Sequence, residues 1–332
     1  MASFSRIILS TGAFVCLIPT GLTGCKTTGN DSSGTATQSP FVSAVASPSP
    51  QSADDALAPE KTGGFDGKRA FAHVAKLVSF GPHPSGSPAI AQVQEYLLSE
   101  LKSYGCSVET DAFSSDTPAG RLPMKNILVK IPGDKPGVIL LGTHYDTKKL
   151  DNFVGADDGG SSTGVMLELA RLLCTQHGRY AAWIAFFDGE EAVKDWSETD
   201  SRYGSRQMAA RLAISGDISK IRAFLLADIV GTRAPHFKRE SSSTKWLVDL
   251  IWRAARNLGY ANIFVDESAP IDDDHDPFLK RNVPSADVID LDREHDVPYW
   301  HTPQDTLDKI SARSLAIVGH VFQESVKQLQ AK

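Results

Sequence analysis

The sequence predicts an α/β protein with a mostly parallel central sheet covered by helices on both faces. From about residue 65 to the C-terminus, apolar β-branched runs alternate with amphipathic stretches of helical period. The longest of the apolar runs to end in acids, AAWIAFF from Ala181 to Phe187, stops abruptly at the carboxylates of Asp188, Glu190 and Glu191. Further acid or histidine clusters follow the other runs, and an open α/β sheet assembles its chemistry at the carboxyl ends of its strands.

A chain of 332 residues holds one large α/β domain or two small ones. With 41% hydrophobic and 22% charged residues it can bury a substantial core, so it reads as globular. The net charge of -6 is spread without a basic block, which gives nucleic-acid binding no electrostatic support.

The order of elements begins with a segment that is not part of the fold. Arg6 is the first charge, the stretch from Ile7 to Ile18 is mostly apolar but too short to span a membrane comfortably, and LTGC closes it at Leu22 to Cys25. This resembles a bacterial lipoprotein signal: residues 1–24 are the expected signal peptide and Cys25 the lipidated first residue of the mature chain. Residues 25–64 are rich in Ser, Thr, Pro, Gly and Ala, a composition that cannot offset the entropy of ordering, and are expected to form a tether. The domain at 65–332 is therefore expected outside the cytoplasmic membrane, anchored to a membrane by lipid. Cys106 and Cys174 are the cysteines left in it, free either to pair or to sit apart as small buried hydrophobes.

Within the domain, Phe71, Val74, Leu77 and Val78 place a helix over Phe65 to Gly81, ended by the turn cluster GPHPSGSP. A second helix is predicted over Ala89 to Tyr104, then strands at Cys106 to Phe113, Met124 to Ile131 and Gly137 to Leu141. Helix follows at Thr163 to His177, strand at Ala181 to Phe187, helix at Ser205 to Leu212 and strand at Ala223 to Leu226. A helix at Thr244 to Leu258, a short strand at Ile263 to Val265, a strand at Ala286 to Leu291 and a helix at Ser311 to Gln330 complete the series.

Six clusters carry the chemistry. THYDT (Thr143 to Thr147) puts His144 and Asp146 on one strand face, where Asp146 can orient the imidazole. GADDGGSS (Gly155 to Ser162) sets Asp157 and Asp158 in a glycine-rich turn before a helix. Glu190 and Glu191, Asp228, the IDDDH run at Ile271 to His275, and His301 in YWHTPQDT follow. His144, Asp158, Glu191, Asp228 and His301 form an oxygen and nitrogen donor set suited to zinc, with Glu190 beside it as a spare proton carrier. His73, His83, His177, His236, His295 and His320 read as packing or surface residues, and His275 is given no ligand role.

The order HYD, GADD, DGEEA, AD and WHT resembles the zinc aminopeptidase superfamily known as M28, across essentially all of 65–332. The string FFDGEEAVKDWSETDSRYGSRQMAAR, the cluster IDDDHDPFLKRNVP and Trp300 directly before His301 are more similar to the glutaminyl-peptide cyclotransferases within it. The resemblance implies one zinc ion held by Asp158, Glu191 and His301, Glu190 as general acid/base, and Asp228 with Asp273 as the acidic network behind it. Trp196 and Trp300 would wall a pocket for a peptide or protein with a free N-terminal glutamine, and the domain is expected to act as a monomer. The alternative is an aminopeptidase with two metals, for which His144, Asp146 and Asp228 stand as second-metal or outer residues. A scaffold that has lost catalysis should show broken ligands, and none is broken. Two departures stand out: Thr143 and Thr163 replace a disulfide pair of the animal enzymes, and Asp287 stands after VPSA where they tend to carry histidine. The acidic loop DLDREHDVPY before Trp300 is also longer, so preferences at the pocket rim are expected to differ.

Overall fold

In order, helix α1 (Gly67–Val78), α2 (Pro88–Ser103), strands β1 (Val108–Thr117), β2 (Gly120–Ile131) and β3 (Gly133–His144), α3 (Gly160–Leu173), β4 (Gly178–Phe187) and α4 (Tyr203–Ser215) build the first half. Strands β5 (Ile221–Asp228) and β6 (Phe237–Glu240), α5 (Lys245–Asn257), β7 (Phe264–Ala269), the single turn α6 (Asp276–Leu279), β8 (Ser285–Ile289) and α7 (Ala312–Gln330) build the second. This computed structural model describes residues 55–291 and 297–332. The expected signal peptide, Cys25, most of the tether and His295 lie outside the described residues.

The main sheet has six strands in the order β1-β2-β4-β3-β5-β8. Strands β4, β3, β5 and β8 run parallel, as the alternation of helix and strand predicts. The other edge differs: β1 and β2 are antiparallel to each other, and β2 is antiparallel to β4, which makes the sheet mixed. The reason is local, because Thr117 pairs with Gly120 across a two-residue turn and so short a connection can only reverse the chain. The predicted strands at Cys106 to Phe113 and Met124 to Ile131 are thus the two arms of one hairpin.

Alternation on the parallel strands buries both faces. Ile139 and Leu141 pack with α1, α3 and α7, while Leu140 turns to the opposite face, against Met208 and Leu212 of α4 and Phe278 of α6. Helix α3 is buried along nearly its whole length, and its Glu168 is held by Arg171 at 2.6 Å and by the Asp66 amide at 3.0 Å. Cys106 and Cys174 form a disulfide, which ties the approach to β1 to the end of α3 and settles the choice that the sequence leaves open. Thr143 and Thr163 both bond to the His144 carbonyl, at 3.0 and 2.8 Å, so hydroxyls join the HYD strand to the GADD helix.

Two further features lie beyond the sequence pattern. Strands β6 and β7 pair in parallel as a separate two-stranded sheet. Residues 55–64, assigned by composition to the tether, rest on the domain: Thr62 is buried and donates to the Phe65 carbonyl at 2.7 Å, and the Asp55 carboxylate accepts the Arg313 amide at 3.1 Å. No helix among the described residues is long and apolar enough to cross a membrane.

Candidate active site

The carboxyl ends of β3, β4 and β5 deliver His144, the Asp188 to Glu191 turn and Asp228 to one rim of the sheet. Asp158 arrives from the turn before α3. Gly155 and Gly159 adopt φ of 55° and 75° there, and a Cβ at Gly159 would lie 2.8 Å from the His144 ring. Glycine is therefore required for this turn to pass the imidazole. The two aspartates point in different directions. Asp157 accepts from the Gly231 amide and the Tyr299 hydroxyl, both at 2.7 Å, and leaves Asp158 to face the site.

His301 Nε2 lies 3.0 Å from Glu191 Oε1 and 3.2 Å from Asp158 Oδ2. The ligating atoms of Asp158, Glu191 and His301 all lie within 4.8 Å of one another. Asp158 Oδ2 is buried without a well-formed hydrogen bond, an expensive state unless a cation completes it. Two carboxylates and an imidazole are a donor set of the catalytic zinc type, so these residues fit the metal. A second trio, His144, Asp158 and Asp228, shares Asp158 with the first, and His144 Nε2 is 3.1 Å from Asp228 Oδ1. The joined cluster of His144, Asp158, Glu191 and His301 is one candidate zinc site and fits one ion.

Electrostatics follow from this crowding. Burial would push His301 down, but Asp158 and Glu191 lift it to about 9. Burial likewise opposes the charge on His144, and Asp228, Glu190, Asp146 and Asp158 overcome it. Burial raises Asp158, yet contact with the two histidines holds it below the usual carboxylate range. Glu190 goes the other way: burial raises it well above that range and, although His144 opposes, Glu191, Asp273 and Asp274 add to the rise.

Asp146 corrects one expectation. Its Oδ1 stands 3.6 Å from His144 Nδ1, too far for a hydrogen bond, and its carboxylate instead accepts the backbone amides of Glu190 at 3.0 Å and Glu191 at 3.3 Å. It therefore fixes the turn that carries both glutamates rather than the imidazole. His144 Nδ1 is left buried without a hydrogen-bond partner.

Glu190, Glu191, Asp228 and Asp273 line a cavity of about 470 Å³ whose walls include Trp196 and Trp300. Trp300 stacks on the His301 ring at 3.7 Å, and Phe153 meets that ring edge-on at 5.9 Å, so the imidazole is held between aromatics. Trp196 is partly exposed and donates from Nε1 to Asp272 at 2.8 Å. Asp273 lies buried near Asp228 and Asp287; burial, then Asp273, Asp228 and Glu240, drive Asp287 well above the ordinary carboxylate value. Asp287, directly after VPSA, is thus a buried acid in the same acidic group.

Several contributors carry no distinctive signal in the sequence. Asp305 accepts the amides of Asp157 at 2.8 Å and Asp158 at 3.1 Å and so holds the ligand turn from 147 residues away. Lys148 reaches Glu191 Oε2 at 3.2 Å, and its place just after the THYDT cluster is the one hint available. Asp188 turns away from the cavity altogether, into bonds with Ser85, Gln94, Lys125 and Tyr145.

The model of peptidase family M28 matches residues 126–326. The glutaminyl-peptide cyclotransferase of Boiga irregularis is 32% identical over 290 residues, covering 74% of this chain and 77% of that protein. The crystal structure of an Acidobacteriales bacterium glutaminyl cyclase aligns with a TM-score of 0.76 at 40% identity, over 80% of this chain and 95% of that one. A zinc-dependent exopeptidase from Parabacteroides distasonis aligns with a TM-score of 0.71 at 29% identity, over 79% of this chain and 98% of that one. With a zinc site of fitting donors at the rim of the same fold, the chain is an enzyme and belongs to peptidase family M28 and, within it, to the glutaminyl-peptide cyclotransferases.

Proposed function

We propose that the chain converts the N-terminal glutamine of peptides or proteins to pyroglutamate with release of ammonia. The observation that carries this reading is Glu190, a buried carboxyl that lines the same cavity as Asp158, Glu191 and His301 yet belongs to neither metal-binding trio. Asp158, Glu191 and His301 would hold the zinc, which when bound supplies Lewis acidity to the side-chain carbonyl of the glutamine. Glu190 takes a proton from the substrate's own α-amino group as that nitrogen bonds to the side-chain carbonyl carbon. The C–N bond of the amide then breaks, and Glu190 returns the proton to the departing ammonia. Glu190 starts and ends in the same state, as a general acid/base must. Trp196 and Trp300 confine the glutamine side chain so that nucleophile and electrophile stay in a near-attack arrangement, the main advantage available to an intramolecular ring closure. Asp273 adds to the rise that keeps Glu190 able to carry a proton, and Asp228 in turn raises Asp273.

A second reading, a two-metal aminopeptidase, has one specific observation in its favour, the His144, Asp158 and Asp228 trio. Incubating the purified, zinc-loaded protein with Gln-Phe-Ala and following products by mass spectrometry separates the two. Loss of ammonia from an otherwise intact peptide, with kcat reduced about a thousandfold by Glu190→Gln, is the expected outcome. Release of glutamine and Phe-Ala would sink the cyclase reading and establish the peptidase.

We further propose that the chain is exported and lipid-anchored at Cys25, with 1–24 as signal peptide. The Cys106–Cys174 disulfide supports an oxidising compartment. Labelling with a radioactive fatty acid in a bacterial host should mark the chain and not its Cys25→Ser variant; equal labelling would refute the anchor.

A further inference from the structure

We infer that Arg202 is a positioning residue that sets the wall of the substrate pocket by clamping Trp196 and Asp272; this rests on the cyclotransferase reading. Arg202 stands at the start of α4 in the left-handed region, at φ 52°, and its side chain is 1% exposed. A non-glycine residue in that region carries a backbone cost, and here the side chain gives a reason for it.

The guanidinium occupies the junction of two segments that supply the pocket. Nη1 pairs with Asp272 and, at 2.8 Å, with Asp276, which opens α6. Nε donates to Ser201 at 3.2 Å, and Nη2 lies 3.9 Å from Glu198. The guanidinium carbon sits 5.3 Å from the centre of the Trp196 ring, within reach of a cation–π contact. Trp196 closes the circuit, since its Nε1 donates to the other oxygen of the Asp272 carboxylate at 2.8 Å. Arg202, Trp196 and Asp272 therefore form a three-membered unit, two of whose members line the cavity.

Both ends of this unit adjoin the acids of the site. Asp272 directly precedes Asp273, the buried acid near Asp228. At the other end, the Arg202 amide donates to the Glu190 carbonyl at 2.7 Å. That second contact is made by backbone and survives any change of side chain, so the guanidinium's own part is to orient the pocket wall. Lysine cannot replace it fully, because an ammonium lacks the planar face that lies against a ring while its edge pairs with the carboxylates and Ser201.

The test compares wild type with Arg202→Met and Arg202→Lys, using Gln-Phe-Ala turnover and iodide quenching of fluorescence. Subtracting the Trp196→Phe spectrum isolates the Trp196 signal. Arg202→Met should raise KM about tenfold while kcat stays within about threefold, the split expected when binding geometry is lost and the acid/base is kept. Trp196 should become more open to iodide, and Arg202→Lys should fall between the two. An unchanged KM and unchanged quenching in folded Arg202→Met, or a loss confined to kcat, overturns the assignment. If Arg202→Met does not fold, Arg202→Lys decides by the same two readings. A wild-type protein that forms no pyroglutamate defeats the cyclotransferase reading instead, and the quenching still decides the clamp.

Discussion

Asp188 and Glu190 leave the same strand two residues apart, both buried, but Glu190 lines the cavity and Asp188 turns away from it. Asp188 accepts from the Ser85 hydroxyl at 2.6 Å, the Lys125 amide at 2.8 Å, and Gln94 and Tyr145 at 3.2 Å each. Its oxygens are fully engaged with the hairpin, α2 and the end of β3. On the other side, the acidic group behind Glu190 keeps unsatisfied oxygens: Asp273 Oδ2 and both oxygens of Asp287 are buried without a hydrogen-bond partner. Burial alone thus does not mark a reactive carboxylate. A buried acid whose bonds are complete fixes the scaffold, and one whose bonds are incomplete can take up a proton, a cation or a substrate.

Matched substitutions put this contrast at risk. Asp273→Asn should lower kcat by about tenfold to a hundredfold with little change in melting temperature, the usual range for a group that tunes a catalytic centre from behind it. Asp188→Asn should do the reverse, costing about 1–3 kcal/mol of stability because an amide NH2 would face hydroxyl and amide donors, with kcat nearly unchanged. Turnover and thermal unfolding measured on both variants would break the comparison if the two effects exchanged places.

The smallest effect lies in the pH dependence of stability. Burial first, and then Asp273, Asp228 and Glu240, raise Asp287 well above its ordinary value, so the folded chain holds this proton where the unfolded chain has released it. The folded state therefore binds more protons, and stability falls as pH rises from the ordinary carboxylate value through the folded one. Asp287→Asn should flatten that decline between mildly acid and mildly alkaline solution, read by urea unfolding at several pH values. An unaltered slope would mean that Asp287 shares no proton with the group.

What the sequence reveals follows from the range of the interactions involved. Helices and parallel strands are legible because their periodicity is local: α5, expected at Thr244 to Leu258, spans Lys245–Asn257, and α7, expected at Ser311 to Gln330, spans Ala312–Gln330. The antiparallel edge is not legible because the turn at 117–120 lacks the Asn-Gly or Asp-Gly pair that marks a two-residue hairpin. Strand β7, expected at Ile263 to Val265, spans Phe264–Ala269, whereas short β6 depends on pairing with it across an intervening helix and has little pattern of its own. The site shows the same division. Asp158, Glu190, Glu191 and His301 stand in recognisable strings, and the fold brings all four to one cavity. Asp305, Lys148 and Arg202 act through contacts that only the folded chain creates, and Asp146 serves the glutamate turn because β4 ends beside β3.

The described left-handed residues other than glycine are Asn152, Arg202, Ile229, Asn282 and His301. Asparagine tolerates that conformation well, but a β-branched isoleucine does not. Ile229 follows Asp228 directly and lines the cavity, His301 belongs to the zinc trio, and Arg202 supports the pocket wall. For anyone seeking a hardier version of this protein, these positions divide into two kinds. Glycine at 152 or 282 sacrifices no pocket or zinc-site side chain, whereas relaxing the backbone at 202, 229 or 301 removes the very group that the awkward turn presents. Gains in robustness must therefore come from the surface and the far face of the sheet, and the rim that does the chemistry will resist improvement by the usual routes.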